Sequence, residues 1–186
     1  MEFSRTAIPD VVLCKPTVFY DERGYFFETF KKEAFEKFLG YQVKFCQDNE
    51  SKSVRGVLRG LHYQLPPFAQ SKLVRVIYGR VLDVAVDIRK YSSTFGRYVA
   101  VELSDENKHQ LFIPKGFAHG YKVLSNEAVF SYKVDNYYHK ESEAGILYND
   151  LDLNINWQVI DDNLCISDKD KNQPVFKEAK VFETIY

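Results

Sequence analysis

The stretch Val57-Leu58-Arg59-Gly60-Leu61-His62-Tyr63-Gln64 combines an apolar, β-prone pattern with an arginine, a histidine and a glutamine. Side chains alternate between the two faces of a strand, so His62 and Gln64 point the same way and Arg59 the opposite way. A bulge at Gly60, where glycine carries no steric penalty, would bring Arg59 and His62 to one face. We predict that this strand is the floor of an active site. The alternative is a core strand with a hydrogen-bonded histidine.

The composition is that of an ordinary globular chain of 186 residues, which we predict to form one domain over residues 1–186. Aromatic residues make up 16%, which favours strands and ring-lined pockets. The net charge of −1 argues against a nucleic-acid-binding surface. No apolar run is long enough to span a membrane, and the N-terminus lacks an apolar signal core, so we expect no membrane association.

The cysteines indicate the compartment. Cys14, Cys46 and Cys165 are scattered and odd in number, and they form neither a metal motif nor a disulfide framework. This usage is typical of a reducing environment, so we expect a cytoplasmic protein.

Short apolar and aromatic segments separated by turn residues make up most of residues 43–134. The turn signals come at intervals of about 8–12 residues, which is typical of an all-β sandwich or barrel. Residues 31–39 differ, because their apolar side chains recur at helical spacing and Gly40 follows them. We therefore predict an all-β fold with a few short peripheral helices.

Polar residues inside apolar strands are the candidates for chemistry. His62 and His119 lie in apolar, glycine-bearing segments, which indicates either a metal site or acid–base chemistry. Asp83 and Asp87 share one face of the apolar run 81–88. A buried carboxylate costs several kcal/mol unless it is paired, so Asp83 needs a histidine or lysine partner. The alternative is that this face of the sheet is exposed to solvent.

The segment Pro114-x-Gly116-x-x-His119 resembles the second motif of the cupin superfamily. This resemblance implies a double-stranded β-helix, the jelly-roll barrel of cupins. Metal-binding cupins have His-x-His in their first motif, whereas this chain has His62-Tyr63-Gln64. Too few ligands remain for the usual set of three or four, so we predict no metal. The sequence also has no Gly-rich loop of the kind that a dinucleotide needs, so we predict no other cofactor.

Seven segments, in order from about residue 8 to residue 174, resemble the motifs of the dTDP-4-dehydrorhamnose 3,5-epimerase family. They are Phe19-Tyr-Asp-Glu-Arg-Gly-Tyr-Phe-Phe-Glu28, Gln47-Asp-Asn49, Leu58-Arg-Gly-Leu-His-Tyr-Gln64, Lys72-Leu-Val-Arg75, Asp83-Val-Ala-Val-Asp87, Ile113-Pro-Lys-Gly-Phe-Ala-His-Gly120 and Ser167-x-Lys-Asp170. The resemblance implies an isomerase that inverts C3 and C5 of dTDP-4-dehydro-6-deoxyglucose in dTDP-rhamnose biosynthesis.

The resemblance also implies roles for individual residues. His62 would be the general base with Asp170 as its partner, Tyr132 the acid on the opposite face of the sugar, and Lys72 the cation beside the enolate oxygen. Asp168 competes with Asp170 for the partner role, and the spacing from Ser167 favours Asp170. The implied substrate-binding residues are Arg23, Glu28, Gln47, Asn49, Arg59, His119, Tyr138, Glu143 and Lys169.

Three further expectations follow from the resemblance. Tyr138 would stack on the nucleotide base, and Asp83 would support His119. The protein would be a homodimer with exchanged N-terminal strands, so that Arg23 and Glu28 would serve the neighbouring subunit's site.

Apart from the resemblance, the chemistry of these residue types also suits the inversion of a carbon next to a ketone. Removing a proton from a carbon beside a ketone leaves an enolate, and inversion needs a base on one face and a proton donor on the other. Histidine has an ordinary pKa of about 6.5, which matches base work near neutral pH. Loss of one group that stabilises a developing oxyanion typically costs roughly 3–4 kcal/mol.

Three alternatives stay open at this point. The first is a single-site 3- or 5-epimerase, or a ketoisomerase of a related nucleotide deoxysugar. The second is a sugar-binding cupin without catalysis. The third is a metal-dependent cupin oxygenase, which the missing His-x-His disfavours.

Overall fold

The computed structural model describes residues 1–159 and 164–183. Its strands are β1 (Glu2–Arg5), β2 (Val12–Lys15), β3 (Phe19–Asp21), β4 (Gly24–Phe26), β5 (Gln47–Val54), β6 (Leu58–Gln64), β7 (Lys72–Tyr78), β8 (Arg80–Asp87), β9 (Tyr98–Ser104), β10 (Gln110–Ile113), β11 (Phe117–Val123), β12 (Glu127–Val134) and β13 (Glu143–Gly145). Its helices are α1 (Lys32–Leu39), α2 (Asp168–Lys171) and two 3₁₀ turns (Lys140–Ser142 and Phe176–Glu178). None of the helices in these residues is long and apolar enough to cross a membrane.

Two antiparallel sheets form the barrel. The first has the order β1-β2-β10-β7-β12-β5, and the second has the order β13-β6-β11-β8-β9. Their facing sides share one apolar core, to which Val74 and Phe130 contribute from the first sheet and Ala85 and Tyr121 from the second. The predicted all-β jelly-roll with short peripheral helices is confirmed.

Strand β8 lies between β11 and β9 in the second sheet and is buried on both faces. Its inner side contacts the shared core, while its outer side packs against later parts of the chain that include Trp157 and Phe182. Asp83 and Asp87 are both 0% exposed. The alternative of a solvent-exposed face at these aspartates is therefore wrong.

Helix α1 covers the outer face of the first sheet, and its extent agrees with the predicted segment 31–39. Phe35 is its buried anchor and packs edge-to-face on Phe112 with ring centroids 5.0 Å apart. The helix belongs to packing and takes no part in the cavity described below.

The predicted bulge at Gly60 is confirmed by the pairing of β6 with β11. His62 lies opposite His119 and Arg59 opposite Tyr121, so β6 has two residues where β11 has one. Because His119 and Tyr121 are two positions apart, they share a face, and so do their partners Arg59 and His62.

Only glycine fits at position 60. Its φ is +131°, and a Cβ there would lie 2.6 Å from the Cα of Gly120 and 2.9 Å from the carbonyl oxygen of His119. The two strands approach closely at this point because neither glycine carries a side chain.

Replacing Gly60 with alanine is expected to lower the free energy of unfolding by about 3 kcal/mol, from the positive φ and the overlap with β11 together. Gly40, at the end of α1, has φ +83° with no atom within 4 Å of an added Cβ, so it is a control for the cost of a positive φ without overlap. Gly40→Ala is expected to cost about 1 kcal/mol. Urea unfolding at one protein concentration measures both, and equal losses would contradict the close approach.

The hairpin of β3 and β4 lies outside both main sheets and contacts the rest of the chain through Tyr25, whose hydroxyl accepts a hydrogen bond of 3.1 Å from Nζ of Lys108. It pairs with neither main sheet in the described residues. Phe19 is 61% exposed and Phe26 is 68% exposed, which is unusual for large aromatic side chains on a strand.

Candidate active site

A cavity of about 430 Å³ opens at the barrel, with both sheets contributing to its wall. Strands β5, β7 and β12 line it from the first sheet, and β6 and β13 from the second. The lining residues are Gln47, Asn49, His62, Tyr63, Gln64, Gln70, Lys72, Tyr132, Tyr138 and Glu143.

His62 is held at the cavity wall by Asp170. The Nε2 atom of His62 lies 2.6 Å from Oδ1 of Asp170, and the aspartate is only 3% exposed. The other carboxylate oxygen accepts a hydrogen bond of 3.3 Å from the backbone N–H of Gly60. The bulge in β6 thus contributes to positioning the aspartate behind the histidine.

Helix α2 delivers Asp170 to this position. Ser167 caps the helix and accepts a hydrogen bond from the backbone N–H of Asp170. Burial alone would raise the pKa of Asp170. The hydrogen bond with His62, the charge of His62 and the hydrogen bond from the Gly60 N–H outweigh burial and lower this pKa below its ordinary value. The carboxylate is therefore ionised at neutral pH and accepts the Nε2–H of His62, which leaves the lone pair of Nδ1 free.

A second histidine–aspartate pair lies beside the first. The Nε2 atom of His119 is 2.9 Å from Oδ2 of Asp83, and both side chains are buried. Burial lowers the pKa of His119, Asp83 opposes this, and Lys72 and His62 lower it further. His119 is therefore neutral near pH 7 and donates its Nε2–H to the carboxylate. The Oδ1 atom of Asp83 is buried and has no hydrogen-bond partner among the described residues.

Lys72 contributes a positive charge in a desolvated part of the cavity. Burial lowers the pKa of Lys72 to about 8, although the charges of Asp83 and Glu143 act in the opposite direction. Its Nζ atom lies 5.9 Å from the centroid of the Tyr132 ring. Lys72 and Tyr132 are therefore neighbours on the wall that the first sheet forms.

Tyr132 comes from the sheet opposite His62. Burial raises the pKa of Tyr132 above its ordinary value, Tyr121 raises it further, and Arg59 lowers it in part. The phenol therefore keeps its proton at neutral pH. A neutral proton donor on one sheet and a histidine with a free lone pair on the other can act on opposite sides of a bound molecule.

The rim of the cavity carries a chain of polar contacts. The hydroxyl of Tyr138 donates to Oε2 of Glu143 at 3.1 Å, and Nζ of Lys169 lies 2.6 Å from Oε1 of the same carboxylate. Burial raises the pKa of Glu143, but the bonds from Lys169 and Tyr138 outweigh this, so its net pKa is lowered. Glu143 is thus an anion that links a lysine and an aromatic ring.

The structure groups the predicted site residues in three sets. Seven of them line the cavity, namely Gln47, Asn49, His62, Lys72, Tyr132, Tyr138 and Glu143. Five others contact or lie close to these residues, namely Arg59, Asp83, His119, Lys169 and Asp170.

Arg23 and Glu28 form the third set and lie outside the cavity. Arg23 is exposed in the β3–β4 turn, where its guanidinium pairs with Asp21. Glu28 is exposed in the segment after β4. The single chain does not bring these two residues to the other twelve predicted site residues, because their hairpin pairs with neither main sheet in the described residues.

Two glutamines of the cavity wall were missed by sequence reasoning. Gln64 and Gln70 line the cavity, although neither was assigned a role. Gln64 could have been found from strand alternation, which places it on the same side as His62. Gln70 lies in a loop, where no periodic signal exists.

The donor set does not favour a metal ion. Within residues 1–159 and 164–183, no three His, Cys, Asp or Glu side chains are grouped so that they could bind one. Each cavity-side histidine has one nitrogen engaged by an aspartate.

The fold and the cavity together define the class, which is a cupin-type jelly-roll barrel with acid–base side chains in its interior. The family model described as dTDP-4-dehydrorhamnose 3,5-epimerase matches residues 5–178. The chain belongs to this family, as the motif set predicted.

Three relatives illustrate the similarity. The chain is 57% identical to the dTDP-4-dehydrorhamnose 3,5-epimerase of Shigella flexneri, over 98% of this chain and 99% of the relative. It matches the dTDP-6-deoxy-D-glucose-3,5-epimerase of Legionella pneumophila, solved with dTDP-4-keto-L-rhamnose, with a TM-score of 0.95, 45% identity and coverage of 100% and 99%. A 3′-monoepimerase of Streptomyces bikiniensis, solved with dTDP as a double mutant, matches with a TM-score of 0.86, 29% identity and coverage of 92% and 86%.

Proposed function

We propose that this protein inverts C3 and C5 of dTDP-4-dehydro-6-deoxyglucose and so forms dTDP-4-dehydrorhamnose, in dTDP-rhamnose biosynthesis. One observation carries the proposal. The histidine of a His62–Asp170 pair and the phenol of Tyr132 line one cavity from opposite sheets. Family membership supplies the substrate class, because the relatives named above are epimerases of dTDP-linked 4-keto sugars.

The first step is proton abstraction by His62. Its Nδ1 lone pair takes the proton from the carbon next to the C4 ketone, and the electron pair of the broken C–H bond moves into an enolate with the charge on O4. The imidazolium that forms is stabilised by the ionised Asp170 on the other nitrogen. The ammonium of Lys72 stabilises the enolate oxygen in a desolvated site, where such a charge has its largest effect.

The second step is protonation from the other face. Tyr132 donates its hydroxyl proton to the carbon, which completes the inversion and leaves a phenolate. Proton transfer from solvent to the phenolate and from His62 back to solvent restores the starting state. Repeating both steps at the second carbon inverts the second centre, with no redox change and no cofactor.

The remaining cavity residues suit a nucleotide diphosphate. Arg59 lies close enough to Tyr132 to affect its pKa, and an arginine fork suits phosphate oxygens. We assign Gln47, Asn49, His119, Glu143 and Lys169 to polar contacts with the substrate. Tyr138 is 57% exposed at the rim, where its ring can stack on the base.

Lys72 leads to a pH prediction. Its pKa is lowered to about 8, and only the ammonium form stabilises the enolate, so kcat/KM is expected to fall as pH rises through about 8. The pKa of Tyr132 is raised, so loss of its proton comes only at higher pH. In the Lys72→Arg variant the side chain stays charged at higher pH, so a pH–rate profile should show the fall in kcat/KM displaced to higher pH. If the fall in the variant stays near pH 8, another group is responsible for it.

We also propose a homodimer in which Arg23 and Glu28 reach the partner's site. The exposed aromatic side chains of the β3–β4 hairpin support it, since Phe19 and Phe26 are each more than half exposed in the single chain. Sedimentation velocity should give twice the chain mass. A monomer that is fully active would contradict this part of the proposal.

The other predicted properties stay proposals. We propose one domain over residues 1–186, in the cytoplasm, without a nucleic-acid or membrane partner. Cys14, Cys46 and Cys165 are all free thiols in the structure, which supports a reducing compartment. Cell fractionation checks the location, since recovery of the enzyme outside the cytoplasmic fraction would contradict it.

A single-site epimerase is the second candidate. In the Streptomyces bikiniensis 3′-monoepimerase mutant, a histidine and a tyrosine were replaced that are as many positions apart as His62 and Tyr132. The same pair of residue types thus occurs in a relative that acts on one centre. Proton NMR with dTDP-4-dehydro-6-deoxyglucose in deuterated water separates the candidates.

Deuterium is expected at both C3 and C5. If deuterium enters at C3 alone or at C5 alone, the protein is a single-site epimerase and the proposal of double inversion is wrong. No incorporation with binding retained would indicate a sugar-binding barrel without catalysis.

A further inference from the structure

Gln64 holds the loop that carries Tyr138. It is 5% exposed, and its side-chain amide makes three hydrogen bonds to main-chain groups. The Nε2 atom donates to the carbonyl oxygen of Phe68 at 2.7 Å and to that of Tyr137 at 3.2 Å. The Oε1 atom accepts from the backbone N–H of His139 at 2.6 Å.

Two of these bonds flank Tyr138 directly in the chain. One is made to the residue before it and the other to the residue after it, so a single amide restrains the backbone on both sides of the tyrosine. The pair of contacts requires a donor and an acceptor on one planar group of this length, which is what a glutamine side chain provides.

The tip of Tyr138 is held separately. Its ring is 57% exposed, and its hydroxyl donates to Glu143. Gln64 therefore restrains the backbone on both sides of Tyr138, and Glu143 holds the hydroxyl of its ring. Gln64 is also two residues after His62 on β6, so the same strand bears the proposed base and the amide that orients the ring.

We propose that Gln64 is a positioning residue for recognition of the nucleotide base. It acts through Tyr138, whose ring it holds at the angle needed to stack on the base of a nucleoside diphosphate. This inference rests on the proposed function, in which Tyr138 is the stacking residue. Gln64 itself takes no part in proton transfer.

The test measures dTDP binding by calorimetry on the full-length protein, together with KM and kcat. Gln64→Glu keeps the shape but places an oxygen opposite the carbonyls of Phe68 and Tyr137, so both donor bonds are lost. The Kd for dTDP and the KM are expected to rise about tenfold, in the range of one lost base–aromatic stack, while kcat changes less than about threefold.

A matched control and a second variant guard against a general folding effect. Asn107→Asp is the control, because the Asn107 amide makes the same kind of contacts far from the cavity, donating to the Glu102 carbonyl and accepting from the Ser104 and His109 N–H groups. It is expected to leave Kd and KM unchanged. Gln64→Met removes the amide without adding a carboxyl group, and it should weaken dTDP binding as Gln64→Glu does.

A double-mutant cycle with Tyr138→Ala decides the mechanism. If Gln64 acts through the ring, Gln64→Glu should change Kd less than about twofold once the ring is absent. A tenfold loss that persists in the Tyr138→Ala background, or no loss in either Gln64 variant, would overturn the inference. If Tyr138→Ala itself leaves dTDP binding unchanged, the stacking role in the proposed function fails instead.

Discussion

Replacing His62 with alanine is expected to lower kcat by about 10³- to 10⁴-fold and to stop deuterium incorporation at both C3 and C5. Of the two histidine–aspartate pairs, only the one with His62 has its histidine among the residues that line the cavity, and Asp170 stabilises the imidazolium that forms there. Lys72 is mostly charged at pH 7, because its pKa is about 8, and His119 is not among the residues that line the cavity. The measurements are steady-state turnover and proton NMR in deuterated water.

The control for this prediction is His109→Ala, which removes a histidine that does not line the cavity. It should keep wild-type exchange at both carbons. Circular dichroism should be recorded, because His62→Ala leaves the buried Asp170 without its partner. Exchange that persists in a folded His62→Ala protein would assign the base to another residue.

Replacing Asp170 with asparagine is expected to lower kcat on the order of 10³-fold with little change in KM, since the same change in a catalytic triad costs about 10⁴-fold. The Gly60 N–H faces Oδ2 of Asp170 and would orient the amide so that its oxygen accepts this bond. The amide nitrogen then faces Nε2 of His62 and donates to it. His62 must then carry its proton on Nδ1, where the lone pair is needed. We expect a smaller loss than in the triad because the His62 side chain is 31% exposed.

Asp168→Asn is the matched control, because it makes the same change on the same helix. The Asp168 side chain is 95% exposed and pairs only loosely with Lys171. Its kcat should stay within about twofold of wild type, as is usual for surface substitutions. Equal losses in both variants would show that the helix, and not the His62 contact, is responsible. A wild-type kcat in Asp170→Asn would mean that the contact with Asp170 does not control the tautomer of His62.

The predictions that depended on local sequence are confirmed where the structure and the comparisons bear on them. Gly60 in an apolar run predicted a bulge, because only glycine tolerates the positive φ and close approach found there. Asp83 within a run of valines predicted a buried pair, because an unpaired carboxylate is too costly in such a position. The ordered motifs predicted the family and the barrel.

The roles of individual residues stay predictions, and some of the site could not be read from the chain. Gln64 was visible in the opening motif, but its three partners lie in two loops whose paths have no periodic signal. The resemblance implied that Arg23 and Glu28 serve a neighbouring subunit, and neither residue lines the cavity of its own chain. That follows from a hairpin that finds no partner strand in the described barrel.

The sequence by itself determined the strand pattern, the bulge in β6 and the family, because alternation, glycine geometry and motif order are properties of neighbouring residues. Only the tertiary structure decided which side chains meet. His62 and Asp170 are 108 positions apart, and they come within 2.6 Å because helix α2 packs behind the bulge. Such contacts depend on how distant segments pack on the barrel, and packing depends on the whole chain.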